Sequence, residues 1–403
     1  MEIQDLGLNS GPFSDLSICA IVADAAACGH YRIIYPMEFL RRGGANVMTE
    51  GGLSLATLDP YDVIIAQRQH DPDTLRLLLE ARMRGKTLIY EIDDNVHRVH
   101  PNSPAFTAYK PGGPAVHGVQ KFMEASDGLF TSSPELASQY ACFNKRTWVL
   151  PNCIDFGIRD WETPVPRDPR LEDKLVIGWA GSITHQDDWV PLKGVMDKVL
   201  DRYPQVVFAI VSAYQTMEIF TRELNLPPDR VVTLDPTDFN AYPALPAQFD
   251  IGLIPVIPTV FNVAKSPLKI LEYGARGVPY VASSLAPYVR FHTDTNGQGG
   301  YIARNQEEWI EGISKLVEDE EDRKTRANFI LNHIKTEYAG ASNAWRWAEA
   351  IRECKAARLY TPEVERVYKT AEKPGRNSPC PCGRLKEDGK PTKYKNCCSP
   401  AWG

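Results

Sequence analysis

The chain has no stretch of about 18 consecutive apolar residues, which excludes an ordinary transmembrane helix. Residues 1–16 have neither a basic start nor an apolar core, so the pattern of a secretory leader is missing. The cysteines also lack the spread of a disulfide framework, because four of the nine crowd into the end of the chain. These absences predict a soluble, cytoplasmic protein without a membrane span.

No large excess of one charge is present, since 45 Lys and Arg face 51 Asp and Glu, for a net charge of −6. The distribution is nevertheless uneven: residues 354–403 carry +6, and residues 1–353 carry −12. A body with that charge repels polyanions, so only the tail is suited to nucleic acid. With 403 residues, of which 43% are hydrophobic, we expect two or three globular domains.

Short apolar runs alternate with segments of helical periodicity in two successive regions. The predicted strands are 18–23, 62–66, 87–91, 128–131 and 147–150, followed by 175–179, 206–211, 230–233, 251–254 and 279–282. The predicted helices are 33–42, 73–84, 116–125 and 134–140, followed by 189–201, 216–224 and 266–276, with residues 305–359 strongly helical. The alternation predicts two doubly wound, Rossmann-like α/β domains with parallel sheets.

A proline-rich stretch after residue 150 marks the predicted domain boundary. The predicted parts are two Rossmann-like domains, 1–155 and 171–335, a C-terminal helix, 336–360, and a small zinc-binding module, 375–403. We expect Trp345, Trp347 and Ile351 to pack the C-terminal helix back on the domains. Two such domains leave a cleft that the carboxyl ends of both sheets can face.

The loops after the first and third strands are candidate ligand-binding loops. Gly29, His30 and Arg32 lie where the chain leaves the sheet, and a glycine there lets backbone N–H groups approach a phosphate. Arg32 would add a charge-assisted hydrogen bond to the same anion, and the alternative is an ordinary turn with a surface arginine. Asp93 and Asp94 suit a metal or acid–base chemistry, or they cap the next turn.

Small residues at the end of the first strand of the second domain permit close backbone approach to a ligand. Gly181 and Ser182 are the candidate contacts there. His185 is a candidate donor to a phosphate or sugar hydroxyl, and the alternative is a histidine solvated in a loop.

The densest pattern follows the strand 251–254, where Lys265, Ser266, Lys269 and Glu272 fall close together. On a helix starting near Ser266, Lys269 and Glu272 are three residues apart and share a face. The ammonium groups and the helix N-terminus offset phosphate charge, and the carboxylate accepts ribose hydroxyls. This face therefore suits a nucleotide diphosphate, and the alternative is an i, i+3 surface ion pair.

Cys380, Cys382, Cys397 and Cys398 lie close together in the basic tail. Four thiolates in so short a segment fit tetrahedral zinc, which supplies the folding energy that a small module lacks. Because all four positions are protein ligands, we expect the zinc to be structural.

Four segments together carry a family resemblance. They are Gly29-His30-Tyr31-Arg32, Ile92-Asp93-Asp94, Gly178-Trp179-Ala180-Gly181-Ser182 and Lys265-Ser266-Pro267-Leu268-Lys269-Ile270-Leu271-Glu272-Tyr273. Over residues 17–355 the chain resembles the retaining GT-B glycosyltransferases of the glycosyl transferase group 1 type. The resemblance implies a nucleotide-sugar donor in the second domain, an acceptor mostly in the first, and Glu272 as the ribose-binding glutamate. The family's Glu-x7-Glu motif is broken here, because Ala264 replaces its first glutamate.

The tail is similar to the SEC-C zinc motif, Cys-x-Cys-x8-Cys-Cys/His. Here 14 residues separate Cys382 from Cys397, which an insertion around residues 385–392 explains. The resemblance implies an adaptor that binds a protein or nucleic acid.

We therefore predict a glycosyltransferase that moves a sugar from a nucleotide-diphosphate sugar to an unidentified acceptor, with retention and without a catalytic metal. The predicted catalytic residues are His30, Arg32, Asp93, His185, Lys269 and Glu272. The predicted donor-binding residues are Gly29, Gly181, Ser182, Lys265, Ser266, Lys269 and Glu272. The acceptor is left open between a glycan, a protein, a small molecule and a nucleic acid such as a modified DNA base. The alternatives are a nucleotide-sugar epimerase or hydrolase on the same fold, and a targeting protein with weak catalysis, which Ala264 favours.

Overall fold

The computed structural model describes residues 11–181, 183–212 and 214–359 and the single positions 390 and 393; at 183–186, 214–217, 220 and 359 it describes the backbone only. The strands are β1 (Ser17–Ile21), β2 (Asn46–Met48), β3 (Val63–Gln67), β4 (Thr87–Ile92), β5 (Gly128–Thr131), β6 (Thr147–Val149), β7 (Leu175–Ala180), β8 (Val206–Val211), β9 (Val231–Leu234), β10 (Ile251–Ile254), β11 (Tyr280–Ser283) and β12 (Gly300–Ala303).

The α-helices are α1 (Ala27–Gly29), α2 (Tyr35–Arg42), α3 (Leu55–Leu58), α4 (Pro72–Met83), α5 (Pro114–Ala125), α6 (Pro134–Tyr140), α7 (Met196–Arg202), α8 (Tyr214–Glu223), α9 (Leu268–Gly274), α10 (Ala286–Asp294), α11 (Gln306–Glu318), α12 (Glu320–Glu337) and α13 (Gly340–Leu359). A π-helical turn, His30–Ile34, joins α1 to α2. The 3-10 turns are Val96–Arg98, Pro104–Thr107, Pro169–Leu171, Ile183–Leu192, Pro228–Arg230, Tyr242–Ala244, Pro246–Gln248 and Asn262–Ala264.

The first of two compact units takes its described residues from 11–99, 106–151 and 343–359. Its six strands form one parallel sheet in the order β2-β1-β3-β4-β5-β6. Every residue of β3, β4 and β5 is buried, because helices cover both faces of the sheet. The predicted site residues of this unit follow two strands: Gly29, His30 and Arg32 come after β1, and Asp93 and Asp94 come after β4.

The second unit comprises residues 100–105 and 152–342. Its six strands form a second parallel sheet in the order β12-β11-β10-β7-β8-β9. On one face of this sheet, Trp189, Phe208 and Trp309 belong to a cluster of buried apolar side chains from β7, β8, β10 and the neighbouring helices. The two parallel-sheet units confirm the predicted α/β class.

All ten predicted strands are present to within two residues, and the structure adds β2 and β12 at the edges of the sheets. The strand β2 has only three residues, none of them buried, so it leaves no apolar run in the sequence. The predicted helix 189–201 is wrong: the chain forms a 3-10 segment, Ile183–Leu192, and then α7. Pro191 and Gly194, the latter with a φ of 68°, interrupt the helix between them.

Helix α13 packs against the first sheet through Trp347, whose ring lies edge-on to Phe130 with centroids 5.7 Å apart. Ile351 is also fully buried, as expected. Trp345 is 52% exposed, so its predicted packing is wrong. Two residues along a helix correspond to about 200°, which turns Trp345 away from the face that Trp347 buries.

Candidate functional site

Helix α9 begins two residues after its predicted start and brings Lys269 and Glu272 together. Lys269 Nζ donates to Glu272 Oε2 at 2.9 Å, and the Tyr242 hydroxyl donates to the same oxygen at 2.8 Å. Lys269 Nζ also donates to the Tyr242 hydroxyl oxygen at 3.2 Å. We call Tyr242, Lys269 and Glu272 the α9 cluster. Because the side chain of Glu272 is 5% exposed and that of Lys269 is 25% exposed, this is not a surface ion pair.

Burial and the charge of Glu272 shift the pKa values of the two donors in the α9 cluster, Lys269 and Tyr242. Loss of water by itself lowers the pKa of Lys269, but the charge and hydrogen bond of Glu272, together with the neighbouring tyrosines, outweigh it, so the net effect raises the pKa. Burial, together with the charge of Glu272, raises the pKa of Tyr242 well above its ordinary value. The ammonium and the phenol therefore both keep their protons near neutral pH and act as donors to Glu272.

The ends of two strands hold α9 in place. The backbone N–H of Ala180, the last residue of β7, donates to the Tyr273 hydroxyl at 3.0 Å. A Cβ at Gly252 in β10 would lie 2.3 Å from the Tyr273 ring, so only glycine leaves room for it. Since α9 follows β10 and contacts the end of β7, its cluster belongs to the carboxyl edge of the second sheet. Open parallel sheets bind their ligands at this edge.

The segment before α9 is anchored by buried polar groups. Asn262 Nδ2 donates to Asp188 Oδ1 at 2.9 Å, and both residues are buried. Asn152 Nδ2 donates to Ser266 Oγ at 2.8 Å. Lys265 and Ser266 are half-buried and lie between this anchor and α9.

The predicted loop after β7 is only partly described. A Cβ at Gly181 would lie 2.4 Å from the ring of Trp179, so the packing of that ring requires glycine here. Ser182 lies outside the described residues, and of His185 only the backbone within the 3-10 segment is described.

In the first unit, Gly29 and His30 form the entry to the helix after β1. A Cβ at Gly29 would lie 1.9 Å from the carbonyl oxygen of Asp24, so the turn itself requires glycine. His30 is half-buried and begins the π-helical turn, with its Nδ1 3.0 Å from the Ala26 carbonyl oxygen. Such turns are common at functional sites.

Arg32 lies in the core of the first unit instead of at an accessible anion site. Its Nε donates to Glu91 Oε1 at 2.7 Å, and the two side chains are 1% and 0% exposed. Its Nη1 donates to the Leu150 carbonyl at 2.6 Å, and the Trp347 ring centroid lies 5.4 Å from its Cζ. Burial raises the pKa of Glu91 to about 7, although Arg32 opposes the shift. A phosphate cannot reach this guanidinium without displacing these neighbours.

Asp93 and Asp94 follow β4 and meet Cys28, and the three groups offer ligand atoms within 4.8 Å of one another. Arg68 is beside them, with Nη1 3.8 Å from Asp93 Oδ1. The charge of Asp93, together with burial, raises the pKa of Cys28 well above its ordinary value, so the thiol is protonated. The expected cap of the next turn comes from Asn95. A protonated thiol and a guanidinium suit a polar, hydrogen-bonding ligand better than a cation.

Sequence reasoning missed Tyr242, Asn152 and Arg68. Tyr242 lies 30 residues before Glu272 in an irregular loop, and Asn152 lies 114 residues before Ser266. No periodicity or motif marks either position. Arg68 follows β3 directly in the left-handed conformation, with a φ of 45°, and its position at a strand end is the one signal available.

Solved glycosyltransferase structures share this fold. The structure of Anabaena HepE in complex with UDP has a TM-score of 0.58 and 15% identity, covering 84% of this chain and 100% of that one. Sucrose-phosphate synthase from Thermosynechococcus elongatus has a TM-score of 0.58 and 14% identity, covering 85% and 100%. The catalytic domain of starch synthase IV from Arabidopsis thaliana, bound to ADP and acarbose, has a TM-score of 0.57 and 13% identity, covering 85% and 99%.

These likenesses confirm the GT-B fold for the two parallel-sheet units. No protein-family model matches the chain, and no curated protein sequence matches it. In the described ranges, no helix combines the length and the apolar character needed to cross a bilayer. Cys380, Cys382, Cys397 and Cys398 lie outside the described residues, so the zinc site remains a prediction.

Proposed function

We propose that the chain is a glycosyltransferase that takes a sugar from a nucleotide-diphosphate sugar. The observation that carries the proposal is the α9 cluster, in which a buried carboxylate and an ammonium lie 2.9 Å apart at the carboxyl edge of a parallel sheet. The shared fold supports it, because HepE is solved with UDP-glucose and the starch synthase domain with ADP.

In this proposal Glu272 accepts hydrogen bonds from the ribose hydroxyls, and Lys265 and Lys269 offset the charge of the diphosphate. An ammonium has three N–H donors, and the hydrogen bonds of Lys269 to Tyr242 and Glu272 occupy two of them. The third can meet a phosphate oxygen at the half-buried end of the side chain. Ser266 adds a hydroxyl between the two lysines.

The reaction is the displacement of a nucleoside diphosphate by an acceptor hydroxyl. A bond forms between the acceptor oxygen and the anomeric carbon as the bond from that carbon to the phosphate oxygen breaks. For retention, the acceptor attacks from the same face that the diphosphate leaves, and a diphosphate oxygen receives the acceptor proton. Negative charge grows on the leaving diphosphate, and the two ammonium groups stabilise it, so no catalytic metal is needed.

We assign the acceptor to the first unit. His30 and Asp93 are half-buried beside the loops at the carboxyl edge of its sheet, where they can hold hydroxyl groups. Arg32 is left out of this role because its guanidinium is closed off by Glu91 and Leu150.

The predicted zinc module would bind a protein or nucleic acid, and elemental analysis of the full chain in reducing buffer should find about one zinc per chain.

Ala264 favours a second candidate, a targeting protein that binds a nucleotide sugar without efficient transfer. Ala264 is fully buried at the end of a 3-10 turn, so no carboxylate is offered at the position of the missing glutamate. Such a protein would bind the donor and release no nucleoside diphosphate.

A donor screen separates these functions. The full chain is incubated with UDP-, ADP- and GDP-sugars, with and without a mixture of glycan, protein, small-molecule and nucleic-acid acceptors. Release of nucleoside diphosphate and a mass increase of one acceptor are expected for a transferase. Release without acceptor indicates a hydrolase, and an isomeric donor indicates an epimerase. Binding with no turnover favours the targeting protein, and neither binding nor turnover contradicts both candidates.

A further inference from the structure

Tyr242 completes the α9 cluster through one hydroxyl group. Its O–H donates to Glu272 Oε2 at 2.8 Å, and its oxygen accepts from Lys269 Nζ at 3.2 Å. Lys269 Nζ also lies 5.5 Å from the centroid of the Tyr242 ring. A single phenol therefore contacts both the carboxylate and the ammonium of the proposed donor site.

The Tyr242 ring is itself held by a buried group of side chains. Trp161 packs edge-on against it, with centroids 6.4 Å apart and an interplanar angle of 76°. Trp161 Nε1 donates to Asp155 Oδ1 at 2.9 Å, and Arg159 Nη2 donates to the same oxygen at 2.8 Å. The side chains of Arg159 and Asp155 are 1% and 0% exposed. The Tyr242 ring thus packs against a tryptophan that a buried ion pair holds in place.

We infer that Tyr242 is a positioning residue for ribose recognition, an inference that rests on the proposed nucleotide-sugar site. A carboxylate has about four lone-pair directions, and a rigid donor on Oε2 sets the plane in which they point. A carboxylate held in one plane can accept hydrogen bonds from both neighbouring hydroxyls of a ribose. With a 2′-deoxyribose it loses one of these two hydrogen bonds. Lys269, on a flexible four-carbon stem, does not fix that plane by itself.

The variant Tyr242→Phe removes the hydroxyl and keeps the ring that packs on Trp161. Affinities are measured by calorimetry for UDP, ADP and GDP and for their 2′-deoxy counterparts. We expect the wild-type chain to prefer the ribose form of the nucleotide that it binds by at least about tenfold. In Tyr242→Phe the preference should fall to about threefold or less, mostly through weaker binding of the ribose form. This ratio is independent of the fraction of the sample that is folded.

Two further variants separate this inference from the proposed function. Tyr203→Phe is the matched control, because its hydroxyl donates to Glu318 elsewhere in the second unit, and it should keep the wild-type preference. Glu272→Ala should lose the preference altogether. If Glu272→Ala loses it and Tyr242→Phe keeps it, the positioning role is overturned and the donor site stands. If wild-type protein binds none of the three nucleotides, the donor site is overturned and the inference falls with it.

Discussion

Each unit contains a buried pair of a basic side chain and a glutamate, and the two pairs differ in the solvent exposure of their side chains. Arg32 and Glu91 in the first unit are 1% and 0% exposed, and the Arg32 guanidinium lies against the ring of Trp347 in α13. Lys269 and Glu272 in the second are 25% and 5% exposed at the edge of a sheet. Arg32 and Lys269 are both predicted to meet a phosphate, but of these two side chains only that of Lys269 is partly exposed.

The difference in exposure separates two roles of a buried ion pair, stabilising the fold and binding a ligand. A fully closed pair has no room for a ligand, and removing one partner leaves a charge without compensation. A pair whose lysine side chain is partly exposed beside a phenol can bind a ligand without exposing its carboxylate to bulk water. We therefore propose that the first pair stabilises its unit and that the second binds the donor, and the variants below test this division.

The largest effect is expected for Arg32→Met. This change leaves Glu91 in the core without its cationic partner, either as an uncompensated carboxylate or as a group that must take up a proton, so the free energy of unfolding should fall by about 3–5 kcal/mol. Urea denaturation measures it. Arg41→Ala is the matched control, since Arg41 pairs with Glu38 and is 44% exposed, and it should cost less than about 1 kcal/mol. An equally small loss for Arg32→Met would mean that the first pair does not stabilise the unit.

Glu272→Gln should weaken binding of UDP or ADP by about 1.5–3 kcal/mol, because a charge-assisted acceptor for the ribose is lost. The thermal unfolding temperature should change little. Glu318→Gln is the control, because Glu318 also accepts from a tyrosine hydroxyl, that of Tyr203. Equal affinities for the wild type and Glu272→Gln would refute the binding assignment.

The first pair also predicts a pH dependence. The pKa of Glu91 is raised from 4.5 to about 7 in the folded chain, so folding favours its protonated form. The free energy of unfolding gains from protonated Glu91 in full below about pH 4.5, and this gain is lost as the pH rises through about 7. Between pH 5 and 8, the wild type should therefore lose about 2–3 kcal/mol relative to Glu91→Gln. Parallel pH profiles of the two proteins would contradict the raised pKa.

Lys269→Met should lower kcat about tenfold and change nucleotide affinity less, because phosphate charge grows as the glycosidic bond breaks. Steady-state kinetics with the donor identified by the screen measure both constants. A change confined to KM would assign Lys269 to ground-state binding alone.

The predictable parts of the site are the local ones. The contact between Lys269 and Glu272 follows from helical spacing, and the strands follow from apolar runs that parallel sheets bury. The contact between Arg32 and Glu91 spans 59 residues and joins the π-helical turn to β4, which no local pattern encodes. The exposure of Trp345 was predictable from helical phase alone.

The most direct test of the division between the two pairs measures stability and nucleotide affinity on the same two variants. Urea denaturation and calorimetry with UDP and ADP are applied to Arg32→Met and Glu272→Gln at a temperature where both are folded. We predict that Arg32→Met loses stability and keeps wild-type affinity, and that Glu272→Gln loses affinity and keeps stability. Loss of affinity in Arg32→Met with stability unchanged, or unchanged affinity in Glu272→Gln, would contradict the account.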